Sequence, residues 1–118
     1  LPRDTEENVK IRENAIMEAS FTAASVPLHT VEMCLQVMKL AFRMAQIGNL
    51  SAISDAASGL YQAKAGLEAA YLNVEINLLG YENENKAIEL LQRAKQLRTE
   101  AAEITIQLQT LLKDRAEL

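Results

Sequence analysis

Residues 87–111 read AIELLQRAKQLRTEAAEITIQLQTL, and this stretch decides the fold. Its apolar residues are spaced alternately three and four apart, at Ala87, Leu90, Ala94, Leu97, Ala101, Ile104, Leu108 and Leu111. A seam with this spacing, sustained over three heptads, predicts one long helix that packs lengthwise, as in a helical bundle or a coiled coil. At about 1.5 Å of rise per residue, some 30 residues extend roughly 45 Å. The sequence therefore predicts an elongated all-α protein.

A first helix is predicted upstream of this seam, with Asp4 or Thr5 as its N-cap and an end near Val26. Pro27 cannot donate the next backbone hydrogen bond and disfavours helix at the residue before it, so we expect a break or kink there. Pro27 then suits the first turn of a second helix, which runs to about Ile47. Apolar residues cover well over half the circumference of this second helix, so it must be central or contact a partner as well.

A third helix is predicted from about Ser54 to Leu79, with Ser51 or Ser54 as its cap. Gly59 and Gly66 lie inside it at a cost of roughly 1 kcal/mol each, which suggests close approach by a helix or a ligand. The expected helix stops are Gly48 and Gly80. Because short loops between long helices imply antiparallel neighbours, we predict an up-and-down bundle of about four helices in a single domain, residues 1–118.

Charge and composition exclude several classes of partner. Twelve Lys and Arg against sixteen Asp and Glu give a net charge of −4, and no stretch gathers the basic residues as phosphate binding requires. The sequence has no run of about 18 apolar residues to span a bilayer, and its first seven residues do not resemble a signal peptide. The single cysteine, Cys34, is expected in the core, and His29 at the surface or in a cap. We expect a soluble, cytoplasmic protein without nucleic-acid or membrane partners.

The third helix carries the most informative polar pattern. A stripe roughly 60° wide contains Asp55, Gln62, Gly66, Asn73 and Asn77. It can line an elongated site but not one reactive centre, because Asp55 and Asn73 are about 27 Å apart along the axis. In a structural alternative, Asp55 caps the helix, and Asn73 and Asn77 hydrogen-bond across a helix interface to fix its register. No cluster with metal-ligand spacing and no phosphate-binding glycine loop occurs, so no metal is predicted.

Several short motifs carry a resemblance to a known family. They are Val26-Pro27-Leu28, Gly48-Asn49, Ser54-Asp55-Ala56, Ala69-Ala70-Tyr71-Leu72-Asn73-Val74 and Asn77-Leu78. In this order and spacing they resemble the cyclodeaminase domain of formimidoyltransferase-cyclodeaminase and its stand-alone bacterial relatives. The resemblance covers about residues 1–78, and the last helix resembles the family only in being long and heptad-like.

The resemblance implies a dimeric helical enzyme of folate one-carbon metabolism. Members either close a formimino group on tetrahydrofolate with loss of ammonia or hydrolyse methenyl-folate to formyl-folate. One of these reactions is implied here, with a tetrahydrofolate derivative as substrate, no bound cofactor and a homodimer. Asp55 is then expected to do the acid–base chemistry, because a carboxylate can orient water or shuttle a proton. The residues assigned to substrate binding or site architecture are Asn49, Ser54, Asn73 and Asn77.

The family opens with a helix after a Pro-Gly-Gly-Gly segment that helps form the site, and this sequence contains no such segment. We therefore expect the chain to be part of a domain that lacks its upstream helices. The alternative from another class is a non-catalytic interaction module that pairs with a partner through its heptad helix. In either case the open apolar surface of the second helix predicts that the isolated chain self-associates.

Overall fold

Residues 5–118, which the computed structural model describes, form three α-helices joined by short turns. Helix α1 spans Glu6–Ile47, α2 spans Ile53–Asn77 and α3 spans Asn85–Ala116, with a 3₁₀ turn at Leu50–Ala52. The helices form a rod of 68 × 20 × 16 Å, and no strand is present in the described residues. None of the helices in this part of the chain is both long and apolar enough to cross a membrane. The predicted all-α architecture is confirmed.

Helix α1 begins at a capped N-terminus. The Thr5 side chain accepts a hydrogen bond of 3.0 Å from the backbone N–H of Asn8, which confirms Thr5 as the N-cap. Glu6 and Glu7 follow in the first turn, where the positive end of the helix dipole favours carboxylates. Residues 1–4, with Asp4 as the other predicted cap, lie outside the described residues.

Helix α1 passes through Pro27 without ending, so the predicted boundary between a first and a second helix is wrong. Pro27 has no N–H to donate to the carbonyl of Ala23, and this loss normally disfavours a continuous helix. Here Ala24, Leu28 and Val31 are buried on both sides of the proline, and tertiary packing of this face stabilises the helix against the loss. Ala23 is exposed, so water can bond to its carbonyl. The described bundle therefore has three helices where the sequence predicts about four.

Helices α1 and α2 pack antiparallel along most of their common length. Met44 and Asp55 line one end of the groove between them, and Val26 and Asn77 line the other. A Cβ added at Gly66 would lie 3.2 Å from Sγ of Cys34 on α1, so this glycine serves close helix packing, as predicted. At Gly59, by contrast, no atom of the described residues comes within 4 Å of an added Cβ.

Helix α3 buries its heptad seam inside the bundle. The buried positions are Ala87, Leu90, Ala94, Leu97, Ala101 and Leu108, while Ile104 and Leu111 are partly buried. Arg93 pairs with Glu32 of α1 at 3.6 Å, and Arg98 pairs with Glu68 of α2 at 2.9 Å. The up-and-down order is confirmed. This chain's own helices cover most of the seam, so the described residues give no support to the alternative that the protein pairs with a partner through α3.

The turn that ends α1 depends on a glycine. The N–H of Gly48 donates to the carbonyl of Met44 at 2.7 Å, and a Cβ at Gly48 would lie 2.6 Å from that same oxygen. The φ of Gly48 is −74°, so this glycine is required by close approach and not by a left-handed conformation. The predicted stop at Gly48 is confirmed.

Helix α2 starts without a side-chain cap. In the preceding 3₁₀ turn the N–H of Ala52 donates to the carbonyl of Asn49 at 3.0 Å, and Ala52 itself is the N-cap. The predicted caps Ser51 and Ser54 are wrong, because the backbone of the turn leads directly into the helix. At the other end α2 stops at Asn77 with Leu78 as its C-cap, earlier than the predicted end at Leu79. Gly80 lies in the turn that follows, with a φ of +91°, which glycine adopts without steric strain.

A second apolar face of α1 lies opposite the buried one. We call it the outer seam, and it consists of the exposed residues Val26, Met33, Val37, Leu40, Met44 and Ile47. From Met33 onward these residues are spaced alternately four and three apart, and Leu40 is 68% exposed. The prediction that this segment is apolar around most of its circumference is confirmed.

We expect the Pro27→Ala variant to be more stable than the wild type by about 1 to 3 kcal/mol, because alanine restores an N–H that can donate to the carbonyl of Ala23. Urea denaturation followed by circular dichroism at 222 nm measures the change. A loss of stability would show that α1 needs the local geometry that proline imposes.

Two glycine variants are expected to change stability in opposite directions. Gly48→Ala should destabilise the fold by about 1 to 3 kcal/mol, because its Cβ meets a backbone oxygen that cannot move freely. Gly59→Ala should stabilise it by about 1 kcal/mol, because alanine is the better helix former and meets open space. Thermal unfolding of the two variants beside the wild type tests the pair. Changes of the same sign would contradict the described turn.

Candidate functional site

An open groove follows the α1–α2 interface, and its walls come from α1, α2 and the turn between them. It has three segments in line, with volumes of about 460, 560 and 410 Å³. The first segment lies beside Pro27, the second beside Met33, and the third at the α1–α2 turn. The α1 wall is mainly apolar, whereas the α2 wall alternates polar and small side chains.

The predicted polar stripe of α2 forms one wall of this groove. Asn73, Asn77 and Gly66 line the first segment, Gln62 lines the second, and Asp55 lines the third. All five residues therefore share one surface, as their helical spacing predicts. Their opposite neighbours on α2, such as Leu60 and Leu67, are fully buried in the core.

The turn segment of the groove brings Asn49 and Asp55 together with Gly48. Asp55 lies in the first turn of α2, near the positive end of the helix dipole. Its carboxylate is exposed and makes no hydrogen bond or ion pair with the described residues, so the structural alternative that Asp55 caps α2 is wrong. An unpaired carboxylate beside an amide can accept a proton from a bound molecule or orient a water.

The distal segment contains the two asparagines. Nδ2 of Asn77 donates to the backbone carbonyl of Asn73 at 2.8 Å, so this hydrogen bond lies within α2. The alternative that the two amides fix the helix register across an interface is therefore wrong for the described residues. The Asn73 side chain is exposed toward the groove. Because about 27 Å separates Asn73 from Asp55 along the axis, the structure does not join these two into one centre.

Ser54 stands apart from the other predicted residues. It is exposed, its backbone carbonyl accepts a hydrogen bond of 2.8 Å from Oγ of Ser58, and its position is about 100° around the helix from Asp55. The groove segments are lined without it. Of the five predicted site residues, the structure thus brings Asn49 and Asp55 into one segment and Asn73 and Asn77 into another.

Cys34 and His29 have different surroundings. Cys34 is predicted to lie in the core. It contacts the core but is only half-buried, and it lines the groove. His29 is at the surface, as predicted, with its Nδ1 3.9 Å from a carboxylate oxygen of Glu32. Among the described residues, no three His, Cys, Asp or Glu side chains lie close enough to share a metal ion.

Sequence reasoning missed one residue at this end of the groove. Arg115, in the last turn of α3, donates to the backbone carbonyls of Ala45 and Gly48 at the end of α1. The only sequence signal was indirect: α1 has no basic residue in its last turn, and α3 is long enough to reach it. A contact between residues about 70 positions apart has no periodic signature.

Comparison with known proteins supports the resemblance. A methenyltetrahydrofolate cyclohydrolase of Methylorubrum extorquens is 41% identical over 101 residues, which are 86% of this chain and 49% of that protein. The formimidoyltransferase-cyclodeaminase of Rattus norvegicus is 37% identical over 78 residues, 66% of this chain and 14% of that protein. That of Sus scrofa is 32% identical over 101 residues, 86% of this chain and 19% of that protein.

The chain spans about half the length of the bacterial relative and less of the mammalian ones. A family model described as formiminotransferase-cyclodeaminase matches residues 1–96, which include the groove and all five predicted site residues. With this match over most of its length, the chain belongs to the formiminotransferase-cyclodeaminase family.

Proposed function

We propose that the protein carrying this chain acts on the one-carbon bridge of tetrahydrofolate. The reaction is either the hydrolysis of methenyltetrahydrofolate to formyltetrahydrofolate or the cyclisation of formimidoyltetrahydrofolate with release of ammonia. The observation that carries the proposal is the unpaired carboxylate of Asp55 beside Asn49, within the residues that the family model matches. The names of the bacterial and mammalian relatives correspond to these two reactions.

Both reactions occur at an electron-poor carbon between two nitrogens. Both also need protons to move to or from the oxygen and nitrogen atoms bonded to this carbon. In hydrolysis, water adds to this carbon and loses a proton. The resulting hydroxyl group then gives up its proton as one carbon–nitrogen bond breaks and the released nitrogen takes up a proton. In cyclisation, a folate nitrogen attacks the formimino carbon, and ammonia leaves after it gains a proton. Asp55 is the proposed acid–base group for either reaction, since within residues 5–118 its carboxylate has no partner to compete with substrate or water.

Amide groups are the proposed contacts to the substrate. Asn49 lies in the same groove segment as Asp55, so it can bond to the pterin or to the reaction intermediate. Asn73 and Asn77 would bind a more distant part of the ligand or help form the wall. Ser54 is assigned a supporting role at the start of α2. The tetrahydrofolate derivative is the substrate in this proposal, and no prosthetic group takes part.

We propose further that this chain is one part of a longer domain and that the isolated chain is incomplete as an enzyme. Two observations support this. The bacterial relative has about twice the length of the matched region. The groove that contains the proposed site is open along its whole length, whereas binding sites for small molecules usually enclose most of the ligand surface. The single free cysteine is compatible with the cytoplasm as the proposed compartment.

A homodimer is proposed through the outer seam of α1, so a second copy would lie along the α1 wall of the groove, to which Val26, Met33, Val37 and Met44 of the seam belong. From Val26 to Ile47 this seam extends roughly 32 Å, and its spacing from Met33 onward is that of a helix that pairs lengthwise with another helix. Exposed apolar patches of this kind mark interaction surfaces. A second copy offers the same seam, and symmetric pairing is the commonest arrangement of soluble oligomers.

The catalytic assignment predicts that Asp55→Asn lowers kcat/KM of the full-length protein by roughly 100-fold or more, because the amide cannot accept a proton. Loss of the methenyltetrahydrofolate absorbance measures turnover, with formimidoyltetrahydrofolate as the second substrate. The control is Glu103→Gln, which removes an exposed carboxylate on α3 without touching the groove. Retention of full activity by Asp55→Asn would remove Asp55 from the mechanism, and a well-folded wild type inactive on both folates would reject the function.

The interface assignment predicts that the wild-type chain self-associates and that Leu40→Glu makes it monomeric, because a carboxylate in the seam must be desolvated on pairing. Size-exclusion chromatography with light scattering measures the mass. Ile106→Glu is the matched control, since Ile106 is similarly exposed (63%) but lies on α3. A monomeric wild type, or equal effects of the two variants, would contradict the proposed interface.

A further inference from the structure

The C-terminal end of α1 has backbone carbonyls that its own sequence does not satisfy. The last four carbonyls of any helix lack intrahelical partners, and α1 has no basic residue in its last turn to compensate. The N–H of Gly48 donates to the carbonyl of Met44, so the later carbonyls of α1, from Ala45 onward, have no donor within the helix. Ala45 is fully buried, so its carbonyl has little access to water.

Arg115 supplies the missing donors from another helix. Its Nη1 donates to the carbonyl of Ala45, and its Nη2 donates to the carbonyl of Gly48 at 3.3 Å. Both bonds are partly buried. The planar guanidinium can bridge two carbonyls with separate nitrogens, and its charge complements the negative end of the α1 dipole.

Backbone hydrogen bonds close the end of α3, which carries this contact. Glu117 adopts a left-handed conformation with a φ of 58° and donates its N–H to the carbonyl of Lys113 at 3.1 Å. The N–H of Leu118 then donates to the carbonyl of Leu112 at 3.2 Å. These bonds close the last turn of α3, in which Arg115 lies half-buried.

The backbone that Arg115 holds leads directly into the proposed site. Gly48 precedes Asn49, and both line the turn segment of the groove together with Asp55. Asn49 follows Gly48 directly and is otherwise held by the hydrogen bond from the Ala52 N–H to its carbonyl, whereas Asp55 is fixed by the helical hydrogen bonds of α2. A shift of the Gly48 carbonyl would therefore move Asn49 more than Asp55.

We propose that Arg115 is a positioning residue, which sets the place of Asn49 by bridging the carbonyls of Ala45 and Gly48. The inference rests on the proposed function and extends the functional part of the chain beyond the residues 1–96 that the family model matches. The last turn of α3 thus acts on substrate binding through the α1–α2 turn, without touching the substrate.

Hydrogen exchange of the full-length protein tests the bridge independently of any activity. Arg115→Gln should accelerate exchange in a peptide covering residues 45–53 by about tenfold, because the turn loses two hydrogen bonds. Arg115→Lys should accelerate it as well, since one ammonium group cannot bridge both carbonyls as the guanidinium does. Lys113→Gln, which removes an exposed charge from the same turn, should leave the peptide unchanged. Unchanged exchange in Arg115→Gln, or equal acceleration in a peptide covering residues 92–99, would overturn the proposal.

Steady-state kinetics test the positioning role. Arg115→Gln should raise KM for the folate by about tenfold with kcat within about twofold of the wild type, because Asn49 moves while Asp55 keeps its place. Lys113→Gln should match the wild type in both constants. An unchanged KM in Arg115→Gln would overturn the positioning role even where the exchange result holds. If the wild type turns over neither folate, the proposed function fails, and the exchange experiment alone decides whether Arg115 holds the turn.

Discussion

The antiparallel packing of α1 against α2 is the constraint on which the rest of the structure depends. Gly66 of α2 faces Cys34 of α1 so closely that an added Cβ would lie 3.2 Å from its Sγ. Close backbone approach leaves one groove for α3, which buries its heptad seam there, and a second groove that stays open. The open groove has a polar wall because the stripe on α2 faces away from the core. The proposed site is thus a consequence of how the first two helices pair.

Helix α1 has two apolar faces, of which one is buried and the other exposed. One face packs against α2 and α3, while the outer seam remains exposed in a single chain. An amphipathic helix in a finished bundle normally has one apolar stripe, so the second stripe indicates a further contact. The same helix continues through Pro27 because its buried face holds both halves on one partner helix. Packing and interaction therefore make separate demands on the same 42 residues.

The proposed site divides between a turn and a helix, which need different support. The regular hydrogen bonds of α2 hold Asp55 in place, whereas Asn49 lies between the end of α1 and a 3₁₀ turn. Gly48 permits the tight backbone there, and Arg115 binds the carbonyls that the turn leaves free. Residues from the middle of the sequence and from its C-terminal end therefore shape one groove segment. The distal asparagines stay on the opposite end of the groove, where they are part of a separate surface.

The sequence by itself determined the all-α class, a first cap at Asp4 or Thr5, the stop at Gly48, the buried seam of α3 and the shared face of the polar stripe. These features depend on local hydrogen bonding and on the periodicity of a helix, which neighbouring residues specify. Only the tertiary structure decided that α1 continues through Pro27, that α3 packs internally, and that Asn49 and Asp55 line one groove segment. It alone revealed Arg115. These outcomes depend on packing between helices and on contacts between distant residues, and no local pattern encodes either.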